Sequence, residues 1–130
     1  MELCVIPVAE LDKKIYRKLI KLNLGDRGLM KFYLKTAYWQ EEARLKYRRN
    51  ETAIILYDEG RIVCWVLLLD ARACCGCKWK KSVHIYTRAS KRGKGYANYL
   101  ILKTIDLCKP AKLYCRGNTT FFRKYGIKYA

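Results

Sequence analysis

Six residues, Arg92-Gly93-Lys94-Gly95-Tyr96-Ala97, put two glycines between and beside two cations. Glycine reaches backbone conformations closed to other residues, so its amides can come close to a ligand. If a helix opens here, the unpaired amides of its first turn also favour an anion. Together these features predict a cradle for phosphate or diphosphate. One other residue nearby is suited to chemistry, the sole histidine, His84. An imidazole titrates near neutrality, with an ordinary pKa of about 6.5, which suits a general base.

The elements around the hexapeptide have the periodicities such a cradle needs. Val83-His84-Ile85-Tyr86-Thr87 alternates and is rich in β-branched side chains, predicting a strand over about 82–87. Leu100, Ile101, Ile105 and Cys108 follow at three- and four-residue spacing, predicting a helix that Lys109-Pro110 ends. Upstream, 52–57 and 61–69 read as a hairpin turning at Asp58-Glu59-Gly60. Residues 3–8 suit an edge strand, because Pro7 cannot donate to a second neighbour. Glu10 to Leu22 carries Leu11, Ile15, Leu19 and Leu22 at helical spacing, and Leu29 to Arg48 reads as a second helix. A strand at Ala111–Cys115 and a short helix from about 118 complete the order.

Strand, glycine turn and helix with Arg92, Gly95 and Ala97 at the fixed places resemble the coenzyme A signature of the GNAT superfamily of N-acyltransferases, Gln/Arg-x-x-Gly-x-Gly/Ala. The upstream hairpin is similar as well. So is the closing stretch Asn118-Thr119-Thr120-Phe121-Phe122-Arg123-Lys124-Tyr125-Gly126-Ile127, an Asn, an aromatic pair, a basic helix end, then Gly and an apolar residue. The likeness is good over roughly 50–130 and rests on element order before that. It implies an α/β (α+β) fold, a mixed central sheet flanked by helices, in a single domain spanning 1–130.

The resemblance further implies acetyl-CoA as cofactor and an amine as acceptor. Ile85, Tyr86 and Thr87 would lie along the acyl-pantetheine arm, and Arg92, Gly93, Lys94, Gly95, Tyr96 and Ala97 would hold the diphosphate. Asn118 would bond the pantetheine, with Phe121 and Phe122 beside it. Family members often carry a tyrosine as second member of the aromatic pair, to protonate the departing thiolate. This chain has Phe122 there, which has no proton to give. Tyr125 and Tyr114 are the nearest phenols that could substitute, although Tyr125 aligns with an apolar position; water could also serve, since a thiol with a pKa of about 8.5 leaves well. For the base, a role the family often gives to a glutamate, Glu51, Asp58 and Glu59 are the nearest acids and His84 is the histidine candidate.

Charge adds a second signal. The chain holds 28 cations against 11 anions, a net charge of +17, and beyond residue 70 its only acidic side chain is Asp106. That surplus exceeds what one cofactor's phosphates require, and is the usual footprint of a nucleic acid or another polyanion. Trp79, Tyr86, Tyr96, Tyr99, Tyr114 and Phe121 are interleaved aromatics able to stack bases, or to fill a core. The leading expectation is therefore an acetyltransferase acting on an amine of a nucleic-acid-related or other anionic substrate, including DNA modification. The alternatives are a catalytically silent GNAT-like module that binds nucleic acid, and a protein lysine acetyltransferase.

Other classes are disfavoured. An apolar fraction of 52% supports a real core, and the longest apolar runs are too short to span a bilayer. The first residues do not resemble a secretory signal, so a cytoplasmic protein with reduced thiols is expected. Of the seven cysteines, Cys64, Cys108 and Cys115 lie in apolar runs. Cys74-Cys75-Gly76-Cys77 clusters three thiols, but with only Cys4 or His84 as distant partners it falls short of a four-ligand zinc pattern. No metal is expected, and the cluster reads as a loop of free thiols.

Overall fold

The long apolar run Ile62–Leu69 becomes the middle of a sheet in the computed structural model, which describes residues 1–22, 35, 51–70, 80–109, 112–115 and 119–129. Strands β1 (Glu2–Pro7), β2 (Thr52–Asp58), β3 (Arg61–Asp70), β4 (Lys80–Thr87), β5 (Lys112–Cys115) and β6 (Lys128–Tyr129) lie side by side in chain order. The β1–β2, β2–β3 and β3–β4 pairs are antiparallel, and β4–β5 and β5–β6 are parallel. Helices α1 (Lys13–Leu22), α2 (Tyr96–Cys108) and α3 (Thr119–Arg123) cover its faces.

Alternation along β2 and β3 divides the core into two layers. Ala53, Ile55, Trp65 and Leu67 pack with Leu11, Tyr16 and Leu19 on the α1 side. Ile54, Leu56, Val66 and Leu68 pack with Leu100, Ile101 and Phe122 on the α2 and α3 side. Because both faces are covered, these two strands read as nearly unbroken apolar runs rather than as alternating ones. Burial of each such Leu, Ile, Val or Phe side chain stabilises the fold by about 1.5–3 kcal/mol.

The mixed α/β architecture matches the expectation, with three differences in detail. Helix α1 starts at Lys13 rather than Glu10, because Val8–Glu10 forms a 3₁₀ turn after Pro7 and the Asp12 carboxylate accepts from the Lys14 amide at 3.3 Å. Within α1, Tyr16, which is not among the apolar positions read at helical spacing, is buried, while Ile15 is half-buried. The two-residue strand β6 was not foreseen. The expected helix at 29–48 and the cysteine cluster at 74–77 lie outside the described residues.

Candidate functional site

Strand β4 has one closed side and one open side. Toward β3 it is paired at seven registered positions, from Cys64↔Thr87 to Asp70↔Lys81. Toward β5 the register covers only Lys80, Lys81 and Ser82, while β4 runs on to Thr87. Among the described residues none of β5 is registered against Val83–Thr87, and Ile85, Tyr86 and Thr87 of that stretch line a cavity, a wedge between the strands where backbone groups can pair with a ligand.

A bulge secures the end of this strand. Leu56 opposes Cys64 and Tyr57 opposes Ile62, which leaves Val63 as the extra residue of β3. The Val63 carbonyl accepts the Arg88 amide at 2.9 Å, and the Ile62 carbonyl accepts Arg88 Nε at 3.0 Å. The chain then makes a 3₁₀ turn at Ala89–Lys91 and passes Gly93 and Gly95, both with positive φ (79° and 84°). Gly95 is the N-cap of α2, and its carbonyl accepts the Tyr99 amide at 3.0 Å. A Cβ at Gly95 would meet nothing within 4 Å, so the backbone conformation, not crowding, calls for glycine there. The first-turn amides of α2 lack helical acceptors, and no acidic residue stands in that turn.

A cavity of about 620 Å³ lies where the wedge, the glycine turn and the start of α2 meet. Nine of the residues singled out in the sequence line it: Ile85, Tyr86 and Thr87 from β4, Arg92, Gly93 and Gly95 from the turn, Tyr96 and Ala97 from α2, and Phe121 from α3. Lys91, Asn98 and Lys124 also line it and were not anticipated. Lys124 stands one turn after Phe121, a spacing that places both on one side of α3 and its extension. It lies over the Phe121 and Tyr125 rings at 5.3 and 5.4 Å. Arg92 lies over the Tyr86 ring at 5.5 Å, and its Nε donates to the Thr87 carbonyl at 3.1 Å. Among the described residues, three cations and no carboxylate thus face the cavity.

Two further contacts hold its walls. The Tyr96 hydroxyl donates to Asp58 Oδ2 at 2.6 Å, tying the start of α2 to the β2–β3 turn. That bond, with smaller contributions from burial and from the charges of Asp58 and Glu59, raises the phenol above its ordinary pKa. Behind Thr87, its hydroxyl and the Cys64 thiol are 3.3 Å apart. Burial pushes that thiol up to about 11, against smaller lowering effects of the bonds to Thr87 and the Trp65 backbone.

The remaining candidates lie elsewhere. Lys94 is exposed and is not part of the lining. Phe122, 2% exposed, is turned into the core beside α2. His84 is half-buried, with Nε2 3.3 Å from Ser82 Oγ, and is not part of the cavity wall. By strand alternation it belongs to the α1 side of the sheet, as Tyr86 does. The Tyr125 hydroxyl donates to Asn98 Oδ1 at 2.5 Å, which places it one residue behind the cavity wall. Asp58, a candidate base, is engaged by Tyr96, and Glu51 sits at the other end of β2, 3% exposed. Asn118 lies outside the described residues.

Neither a protein-family model nor a curated protein matches the chain by sequence. Its fold is that of the GNAT acetyltransferases. The chain is similar to an acyl-CoA N-acyltransferase from Pseudomonas aeruginosa at 15% identity and a TM-score of 0.69, covering 96% of this chain and 86% of that one. It is also similar to a ribosomal-protein-alanine N-acetyltransferase from Brucella melitensis biovar Abortus 2308 (17% identity, 96% and 91% covered, TM-score 0.63). A GNAT family acetyltransferase from Brucella melitensis, solved in complex with acetyl-CoA, is similar at 10% identity, with 96% and 82% covered and a TM-score of 0.63. These likenesses bear on the fold, as the resemblance read from the motif had implied.

Proposed function

We propose that this protein is an acetyl-CoA-dependent N-acetyltransferase acting on an amine of an anionic, nucleic-acid-related acceptor. The observation that supports this reading best is the cavity itself, which joins an open strand edge, two positive-φ glycines, first-turn amides and three cations. These groups fit a diphosphate with a long polar arm: the turn and the start of α2 hold the charged end, with Lys91, Arg92 and Lys124 neutralising it. Ile85–Thr87 offer backbone partners along the arm, and Phe121 gives it an apolar wall. When bound, acetyl-CoA supplies an acyl thioester with a good leaving group.

His84 is our candidate base for the amine, on the α1 side of β4 just beyond the last residue registered with β5. Tyr125 is the candidate proton donor, and its bond to Asn98 gives it the further role of positioning that cavity residue. The burial of Phe122 favours a second reading, a silent module that keeps the cavity without the acid.

Thermal unfolding of the reduced protein with and without acetyl-CoA, and with a free adenine nucleotide as control, tests the cofactor. At a hundred times its dissociation constant a ligand stabilises the folded state by about 2.7 kcal/mol. A rise with acetyl-CoA that the nucleotide does not reproduce supports the proposal; no rise at millimolar concentration removes it. Release of coenzyme A thiol in the presence of oligonucleotides, mononucleotides or lysine peptides then separates the acceptors, and binding without release in any of them favours the silent module.

A further inference from the structure

The cofactor cavity does not account for a second cationic recess, on the other face of the sheet. Lys18 and Lys21 of α1, Arg61 just after the β2–β3 turn, and Arg88 at the exit of β4 line a groove of about 440 Å³. Its floor includes Tyr57 and Ile62, which belong to the α1-side core. Lys18 and Lys21 are exposed and one helical turn apart, on the same side of α1. No ion pair among the described residues engages Lys18, Lys21 or Arg61. Nor, among the described residues, is a carboxylate part of the wall: Asp58 accepts from Tyr96 on the other side and Glu59 sits outside in the turn. Glu2, opposite Tyr57 across the β1–β2 ladder, is near enough for its charge to help raise the Tyr57 phenol's pKa, after the larger effects of burial and Cys4.

Four like charges around one recess repel one another, a cost that an anion removes. Arg88 is the best organised of them, because Nε is held by the Ile62 carbonyl and its amide by the Val63 carbonyl. That leaves a guanidinium fixed in place, the geometry that recognises phosphate oxygens in pairs. The same segment walls both recesses, with Thr87 and Lys91 lining the cavity and Arg88 the groove. A molecule anchored in the groove therefore lies beside the end of β4, on the face to which His84 belongs.

We infer that Lys18, Lys21, Arg61 and Arg88 form a second anion site, which takes a phosphate group of the amine acceptor. The acceptor role rests on the acetyltransferase reading; the anion site does not. The phosphate is either that of a free nucleotide or one along a nucleic-acid strand, and the two are separable by competition.

The test follows binding of a short fluorescein-labelled single-stranded oligonucleotide by polarisation over a series of salt concentrations, for the wild type and for Lys18→Gln combined with Lys21→Gln. Both lysines are exposed, and thermal unfolding of the variant checks that it folds. Loss of two phosphate contacts should lower the steepness of the log–log salt dependence by about 1.4, at roughly 0.7 per contact with a single strand. Affinity at low salt should fall on the order of tenfold, while the acetyl-CoA-induced thermal shift stays as in the wild type. Arg61→Gln, on a different element, should reproduce half of the change in slope. Competition by a nucleoside monophosphate identifies a small acceptor, and competition only by unlabelled oligonucleotide identifies a strand; both support the site.

An unchanged salt slope in the double variant overturns the inference, as does the absence of any binding by the wild type at low salt. Loss of the acetyl-CoA shift in the same variant would merge the groove with the cofactor cavity and overturn it too. If the wild type shows no acetyl-CoA shift but its oligonucleotide binding still depends on Lys18 and Lys21, the cofactor reading fails and the anion site stands.

Discussion

The two edges of β4 obey different rules. On the β3 side, backbone pairing continues through Thr87 and both sheet faces are packed, with Val63 to Leu67 no more than 1% exposed. On the β5 side, pairing among the described residues ends at Ser82, and Ile85, Tyr86 and Thr87 line a cavity bordered by glycines and cations. One strand thus serves as scaffold along one edge and as binding surface along the other. The difference follows the partners: β3 is registered with β4 from Lys81 to Thr87, whereas the four residues of β5 are registered only with Lys80–Ser82. Substitutions on the closed side should therefore act on stability, and those on the open side on ligand binding.

The largest effect is expected on the closed side. Leu67 is fully buried against the α1 layer, and Leu67→Ala should cost about 2–5 kcal/mol in denaturant unfolding. Acetyl-CoA should still stabilise the fraction that folds; equal loss of both would mean that the two edges are not separable. Next is Phe122→Tyr, which restores the phenol common in the resembled family. Its ring lies in the core rather than at the cavity, so the added hydroxyl should cost about 1–3 kcal/mol unless it finds a partner. Coenzyme A release should not rise in this variant. A clear rise would show that the ring reaches the open side.

How much of this was legible in the sequence follows the same division. Glycines 93 and 95 were readable because a strand-to-helix turn of this kind needs positive φ, and the alternation of 83–87 located β4. The buried hairpin was readable from its apolar runs alone. Lys91, Asn98 and Lys124 were not singled out, because only the tertiary arrangement brings α3 and its extension against the start of α2. The pair Phe121–Phe122 shows the limit best. The rings are adjacent in sequence, with centroids 5.1 Å apart, yet one lines the cavity and the other fills the core. A five-residue helix has too little periodicity to show beforehand which face it buries.

A smaller change in stability but a complete change in binding is expected at Gly95. A side chain at φ 84° costs about 1–2 kcal/mol from the left-handed backbone alone, since no neighbour obstructs a Cβ. Gly95→Glu also sets a carboxylate at the start of α2, against any bound diphosphate. The variant should fold, with its acetyl-CoA-induced thermal shift gone. Retention of the shift would disconnect the turn from the cofactor and leave the open edge without its proposed ligand.

The smallest effect is expected where the two sides are tied together, at Tyr96. Its hydroxyl donates to Asp58 across from α2 to the β2–β3 turn, and this bond is the main reason the phenol's pKa is raised. A raised pKa means that the folded protein holds this proton more tightly than the unfolded chain, whose phenols titrate near 10. The contribution is therefore complete below about pH 10 and declines as pH rises through the folded-state value. Tyr96→Phe removes it at every pH. The difference in melting temperature between wild type and variant should be small and constant from pH 7 to about pH 9, then shrink in more alkaline solution. The variant's acetyl-CoA affinity should weaken only modestly, because the ring stays and only the tether is lost. A pH-independent difference would mean that packing of the ring, rather than the Tyr96–Asp58 bond, joins the binding edge to its scaffold.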